Sequence, residues 1–130
     1  MSTLLVGTYF NQTTGETLVI NSADPESGQL SGTLMIAVVT SPLPSPMSGV
    51  FSSVTVPGAG PSIYLAIMGQ ASYPDERGPG AVCESWAGFA NIGASGEPPD
   101  KLTMSGVRGF YNPANTENQI TLLSGTFVRQ

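Results

Sequence analysis

Gln29-Leu30-Ser31-Gly32-Thr33-Leu34-Met35-Ile36, entered through Ser27-Gly28, is the stretch that decides the fold. Leu30, Gly32, Leu34 and Ile36 fall to one side of an extended chain, and Gln29, Ser31, Thr33 and Met35 to the other. Apolar residues at a period of two predict a half-buried β-strand, because successive strand side chains point to opposite faces. Working outward, the chain divides into eight such segments, near 4–11, 17–23, 29–38, 49–56, 62–71, 82–91, 101–111 and 119–128. Turn-forming residues separate them: Asp24-Pro25-Glu26-Ser27-Gly28, Pro42-Leu43-Pro44-Ser45-Pro46, Pro57-Gly58-Ala59-Gly60-Pro61, loops at 73–80 and 93–99, and Asn112-Pro113-Ala114-Asn115. No stretch sustains apolar residues at i, i+3, i+4 and i+7, so no long helix is expected. In the fifth segment Tyr64, Ala66 and Met68 oppose Ile63, Leu65 and Ile67. Both faces there are apolar, which predicts burial inside a barrel and against another subunit.

Composition agrees with an all-β chain. Only 10 % of the 130 residues are charged, so Ser, Thr, Asn, Gln and Gly must carry the surface. That suits strands, whereas soluble helices lean on Glu, Lys and Ala. The 16 Gly and 11 Pro serve turns and are rejected by helices. The length predicts one domain, residues 1–130, with a core of its own. Eight short strands joined by short connections predict a small antiparallel barrel, whose closure removes exposed edges.

The same counts exclude several function classes. Net charge is −5, and the cations Arg77, Lys101, Arg108 and Arg129 are scattered, so neither nucleic acid nor an anionic membrane is an expected partner. No apolar run approaches the ~20 residues of a spanning helix. There is no histidine, which removes Ser-His-Asp and Cys-His catalysis and most zinc sites, so no enzyme, cofactor or metal is expected. Gly58-Ala59-Gly60 reads as a turn between prolines, Asp75-Glu76 as a solvated loop tip, and Cys83 as a small packing residue without a disulfide partner. The opening MSTLLVGTYF lacks a basic start and a long apolar run, which points to a cytoplasmic protein or a mature secreted form. Asn11-Gln12-Thr13 matches a glycosylation acceptor, relevant only on secretion.

Four fragments in order resemble the avidin and streptavidin family: Gly7-Thr8-Tyr9-Phe10-Asn11-Gln12, Ser27 to Thr33, Ser85-Trp86-Ala87-Gly88, and Thr126-Phe127-Val128-Arg129. The resemblance implies an eight-stranded antiparallel up-and-down β-barrel that binds a small molecule, biotin in the family, at one open end and assembles as a homo-oligomer. Asn11 matches the first-strand asparagine that meets the ureido oxygen, and Trp86 matches a tryptophan of the binding cup. Other positions depart from the pattern. Leu34 stands where a tyrosine is expected, Ile36 where a hydroxyl is expected, and Met68 and Gly106 where tryptophans are expected. Ser124-Gly125 replaces an aspartate or asparagine. Glu84, two residues before Trp86, should point inward, and so should Arg108; paired, they either anchor a polar ligand or fill the barrel. The losses imply that biotin binds weakly or not at all.

Each site residue also has a plainer role. Trp86 and Tyr9 serve as core residues, and Asn11 caps a turn. Phe89, Val107 and the outer face of the fifth strand are candidates for subunit contact. Beside the avidin-type binding protein stand a carbohydrate-binding protein of lectin or defence type, with Tyr73 and Asp75 or Tyr111 and Asn112 as its loops, and a structural oligomer with a filled barrel.

Overall fold

In the computed structural model, which describes residues 2–36, 44–54, 64–74, 81–91, 97–111 and 119–130, a 3-10 turn over Ser2–Leu5 leads into eight strands. They are β1 (Gly7–Asn11), β2 (Glu16–Asp24), β3 (Gln29–Ile36), β4 (Ser45–Val54), β5 (Tyr64–Pro74), β6 (Ala81–Asn91), β7 (Lys101–Tyr111) and β8 (Gln119–Arg129). Each strand pairs antiparallel with the next, and β1 pairs with β8, so the sheet closes as an up-and-down barrel. The expected order and number of strands hold, and β7 has the expected bounds.

All the other strands differ from the sequence reading at one end or both; the first begins at Gly7 rather than residue 4, because Ser2–Leu5 form the 3-10 turn. β4 starts at Ser45, inside the proline cluster, because Pro46 is an exposed position that pairs with Thr33 and is tolerated near a strand start. β5 runs on to Pro74, so Tyr73 belongs to the strand. β2 begins at Glu16, one residue earlier than the turn signals suggested. The β1–β2 turn is built by Asn11, whose Oδ1 accepts from the backbone N–H of Thr13 at 3.0 Å and of Thr14 at 3.3 Å. Gly15 ends this turn at φ 77°, a left-handed conformation that favours glycine.

Inward positions make the core. Leu5, Tyr9, Leu18, Ile20, Leu30, Leu34, Met47, Trp86, Leu102, Met104 and Phe127 are all buried and pack together. The alternation in β3 therefore has the face that its sequence predicts, with Leu30 and Leu34 inside. A bulge between Ile20 and Ser22 resets the phase of β2, so that Ala23 also points in. One end of the barrel is closed by Leu5, Pro99 and Arg129. The Arg129 guanidinium donates to the carbonyls of Pro99 (2.8 Å), Leu4 (2.8 Å) and Val6 (3.1 Å) and to the Tyr9 hydroxyl (2.6 Å). Its charge also lies 4.8 Å from the Tyr9 ring centroid. Burial pushes the Tyr9 phenol above its usual range, against the opposing pull of Arg129.

Outside, the register aligns Ser22, Ser31 and Ser48 in one row across β2, β3 and β4. Cys83 is exposed on this outer wall. It is not the packing residue expected from composition, because Glu84 and Trp86 take the inward phase of β6.

Candidate functional site

The opposite end, where β1 hands over to β2, holds the polar groups of the barrel interior. Glu84 on β6 lies directly across from Arg108 on β7. The Arg108 Nε donates to Glu84 Oε2 at 2.9 Å, and the Trp86 indole N–H donates to Glu84 Oε1 at 2.9 Å. Arg108 extends from there to β2, where its terminal nitrogen donates to Glu16 Oε1 at 3.3 Å. Both carboxylate side chains are fully buried, whereas the Arg108 side chain is 30 % exposed. A single guanidinium thus lies between two interior carboxyl groups.

This arrangement decides the protonation state of Glu16. Loss of solvent around it, and the hydrogen-bonding and repulsive reach of Glu84, push its pKa up to about 8, although Arg108 and Thr14 oppose the shift. Near neutral pH Glu16 is therefore a neutral acid, and the Glu16–Glu84–Arg108 set carries one balanced pair of charges. No donor among the described residues faces Glu16 Oε2. With both groups ionised, no hydrogen bond can join the two carboxylates; a proton on Glu16 supplies one.

Asn11 pairs in register with Glu16 and is also fully buried. Its side-chain oxygen is engaged by the turn, while Nδ2 has no partner among the described residues. Its neighbour on β8 is Gly125, where an added Cβ would come within 2.6 Å of the Asn11 amide. Gly106 has the same relation to Trp86: a Cβ there would approach the indole to 2.7 Å. The ring occupies the space that a side chain at 106 would fill. It also meets Phe127 edge-on, with centroids 5.0 Å apart and planes at 86°.

Of the residues singled out from sequence, Asn11, Glu84, Trp86 and Arg108 converge at this end of the barrel. Leu34 is buried one rung below, paired with Leu18, and Ile36 pairs in register with Glu16. Met68 pairs in register with Val50 and Ala87, and its side chain lies outside the described residues. Asp75 and Asn112, the polar halves of the carbohydrate-binding loops, lie outside the described residues. Glu16 escaped the sequence reading altogether. Its signal was phase: it stands two and four residues before the inward Leu18 and Ile20, and extending the strand by one residue would have exposed it.

No protein-family model matches the sequence, and no curated protein matches it. Solved structures do match the fold. The crystal structure of bradavidin superposes with a TM-score of 0.65 at 20 % identity, covering 100 % of this chain and 82 % of that one. The X-ray structure of the biotin binding protein from chicken gives 0.61 at 18 % identity, with 100 % of both chains covered. The likeness spans the whole barrel, and the fold is the avidin type that the four sequence fragments pointed to.

Proposed function

We propose that this avidin-type barrel is a non-catalytic binding protein for a small molecule, held at the β1–β2 end, and that biotin binds it weakly or not at all. The observation that carries the reading is the buried Glu16–Arg108–Glu84 set beside Asn11 and Trp86. Fixed polar groups at the mouth of an apolar barrel are what a small-ligand site requires. The binding role itself is supported by the fold shared with the chicken biotin binding protein. The departures at Leu34, Ile36 and Ser124-Gly125 remove partners that a ureido ring would use, and Gly106 removes an aromatic wall. Each hydrogen bond to a buried polar ligand atom is worth about 1–3 kcal/mol, so several losses weaken the complex by orders of magnitude.

The thermal midpoint with and without excess biotin tests this. A ligand at ~1,000 times its dissociation constant stabilises by about 4 kcal/mol. The proposal expects little or no shift at micromolar biotin, and a rise of ten degrees or so would refute it.

The same reading includes self-association. Ile120 and Leu122 on the outer face of β8 are 74 % and 81 % exposed, and Val107 beside them on β7 is 43 % exposed. Leu122 and Val107 border a shallow hollow of about 510 Å³ floored by small residues, among them Ala87, Ser105 and Ser124. Contiguous apolar surface of this kind favours cover by a second copy. Light scattering that gives a monomer mass at micromolar concentration would rule it out.

A further inference from the structure

Strand β8 outruns its neighbour at the barrel seam. It pairs with β7 from Gln119 to Val128, but with β1 only through Phe127, Val128 and Arg129, because β1 ends at Asn11. Over residues 120–124 no strand among the described residues pairs with its other edge. Two hydrogen bonds at the end of β8 fix the phase of its backbone. The Arg129 N–H donates toward the β7 side, to the Asp100 carbonyl at 2.7 Å, and the Gln130 N–H donates toward β1, to the Thr8 carbonyl at 2.9 Å. Successive residues of a strand turn their N–H and C=O groups to opposite edges, and the β7–β8 register is unbroken. The main chains of Ile120, Leu122 and Ser124 therefore point to the open edge, and those of Thr121 and Leu123 to β7. Proteins guard such edges with charges, prolines or bulges. From Gln119 to Val128 this strand has no charged residue, no proline and no register shift, in a chain of net charge −5.

We propose that a second copy of this chain docks here by strand addition, residues 119–123 of the two copies running antiparallel about a two-fold axis at Thr121. This rests on the self-association read above and gives it a mode. In that register Ile120 of each copy falls opposite Leu122 of the other. Both main chains face the edge, so each such pair exchanges its two N–H···O bonds. The exposed Ile120 and Leu122 side chains then meet on the outer face, beside Val107. An axis at Leu122 would instead set Ile120 against Ser124, apolar against polar. A two-fold contact sets a surface against itself, so an uncharged strand lets two acidic chains meet without opposing like charges.

Amide hydrogen exchange on the full chain, followed by NMR from about 10 μM to about 1 mM with the mass measured by light scattering, tests this. As the dimer forms, the amides of Ile120 and Leu122 should slow by about tenfold or more, while Thr121 and Leu123, already bonded to β7, change little. Leu122→Pro removes an edge donor, spares the β7 ladder and keeps an apolar side chain; it should give a monomer. If that variant does not fold, the alternation in the wild-type chain decides alone. A monomer mass throughout overturns both the strand pairing and the self-association. A dimer without the alternation, or one that Leu122→Pro leaves intact, overturns the pairing and leaves self-association standing. Protection of Ile120 and Leu122 that is independent of concentration also overturns it, because the edge is then filled within one chain.

Discussion

Replacing Glu16 by Gln should make the barrel more stable in mild alkali and leave it nearly unchanged in mild acid. Gln copies the protonated acid: its oxygen can accept from Arg108, and its amide can donate toward Glu84. The wild-type group titrates from 4.5 in the unfolded chain to about 8 in the barrel. Between those values the folded state holds a proton that the unfolded state has lost, so stability falls as pH rises, by about 1.4 kcal/mol per unit. Below 4.5 both states are protonated and above about 8 both are ionised, so the slope from this group vanishes at either end. Across the whole window the loss is about 4–5 kcal/mol, an order-of-magnitude figure for a group coupled to its neighbour. Urea denaturation of both proteins at about pH 4.5 and about pH 8.5 isolates this contribution, because the other titrating groups are common to the pair. The difference should favour the Gln variant by several kcal/mol at the higher pH and be within about 1 kcal/mol of zero at the lower. Parallel stability–pH curves would refute the account of Glu16 as a buried neutral acid.

Other perturbations probe the neighbouring contacts. Arg108→Met takes the guanidinium from the buried Glu84 carboxylate and should cost about 3–5 kcal/mol in denaturant; adding Glu84→Gln should recover a good part of it, and a strictly additive pair would argue against the ion pair. Gly106→Ala places a methyl 2.7 Å from the Trp86 ring, so the indole must move. The cost should be about 1–3 kcal/mol, with a shifted tryptophan emission maximum that reports the displacement directly, since Trp86 is the sole tryptophan. Arg129→Met removes the donor to the carbonyls of Leu4, Val6 and Pro99. Amide exchange should then quicken in the Ser2–Leu5 turn well before the rest of the barrel, and uniform quickening would speak against a local latch.

Much of this fold lies open in the sequence, for a physical reason. A barrel strand has one wet and one dry face, so alternation in β3 and β7 fixes both the element and its orientation. The same alternation puts Glu84 and Trp86 inside and, given the register, Arg108 opposite Glu84. It fails where the contrast between faces disappears. In β5 both faces are apolar, so the sequence alone does not assign Met68 to one face. At β4 the prolines mimic a loop, although an exposed Pro46 near a strand start loses nothing that the ladder needs. Glu16 was hidden by a habit of expectation, since a carboxylate beside a Thr-Thr-Gly turn is usually solvated. Its proton and its contact with Arg108, 92 residues further along, make an interior position tolerable, and a contact that distant leaves no local trace.

The closure of the barrel has a kinetic side. β1 is five residues long and meets β8 through three register pairs, Tyr9 with Arg129, Phe10 with Val128 and Asn11 with Phe127, whereas β6 and β7 share ten. That seam joins the two extremes of the chain, so it has the greatest loop-closure entropy to overcome and the fewest ladder bonds with which to do so. It should therefore zip last in folding and part first in unfolding. Asn11, with its unused amide, sits on the seam itself. A ligand that engages Asn11 would act as a clasp on the barrel, slowing its opening more than it speeds its assembly.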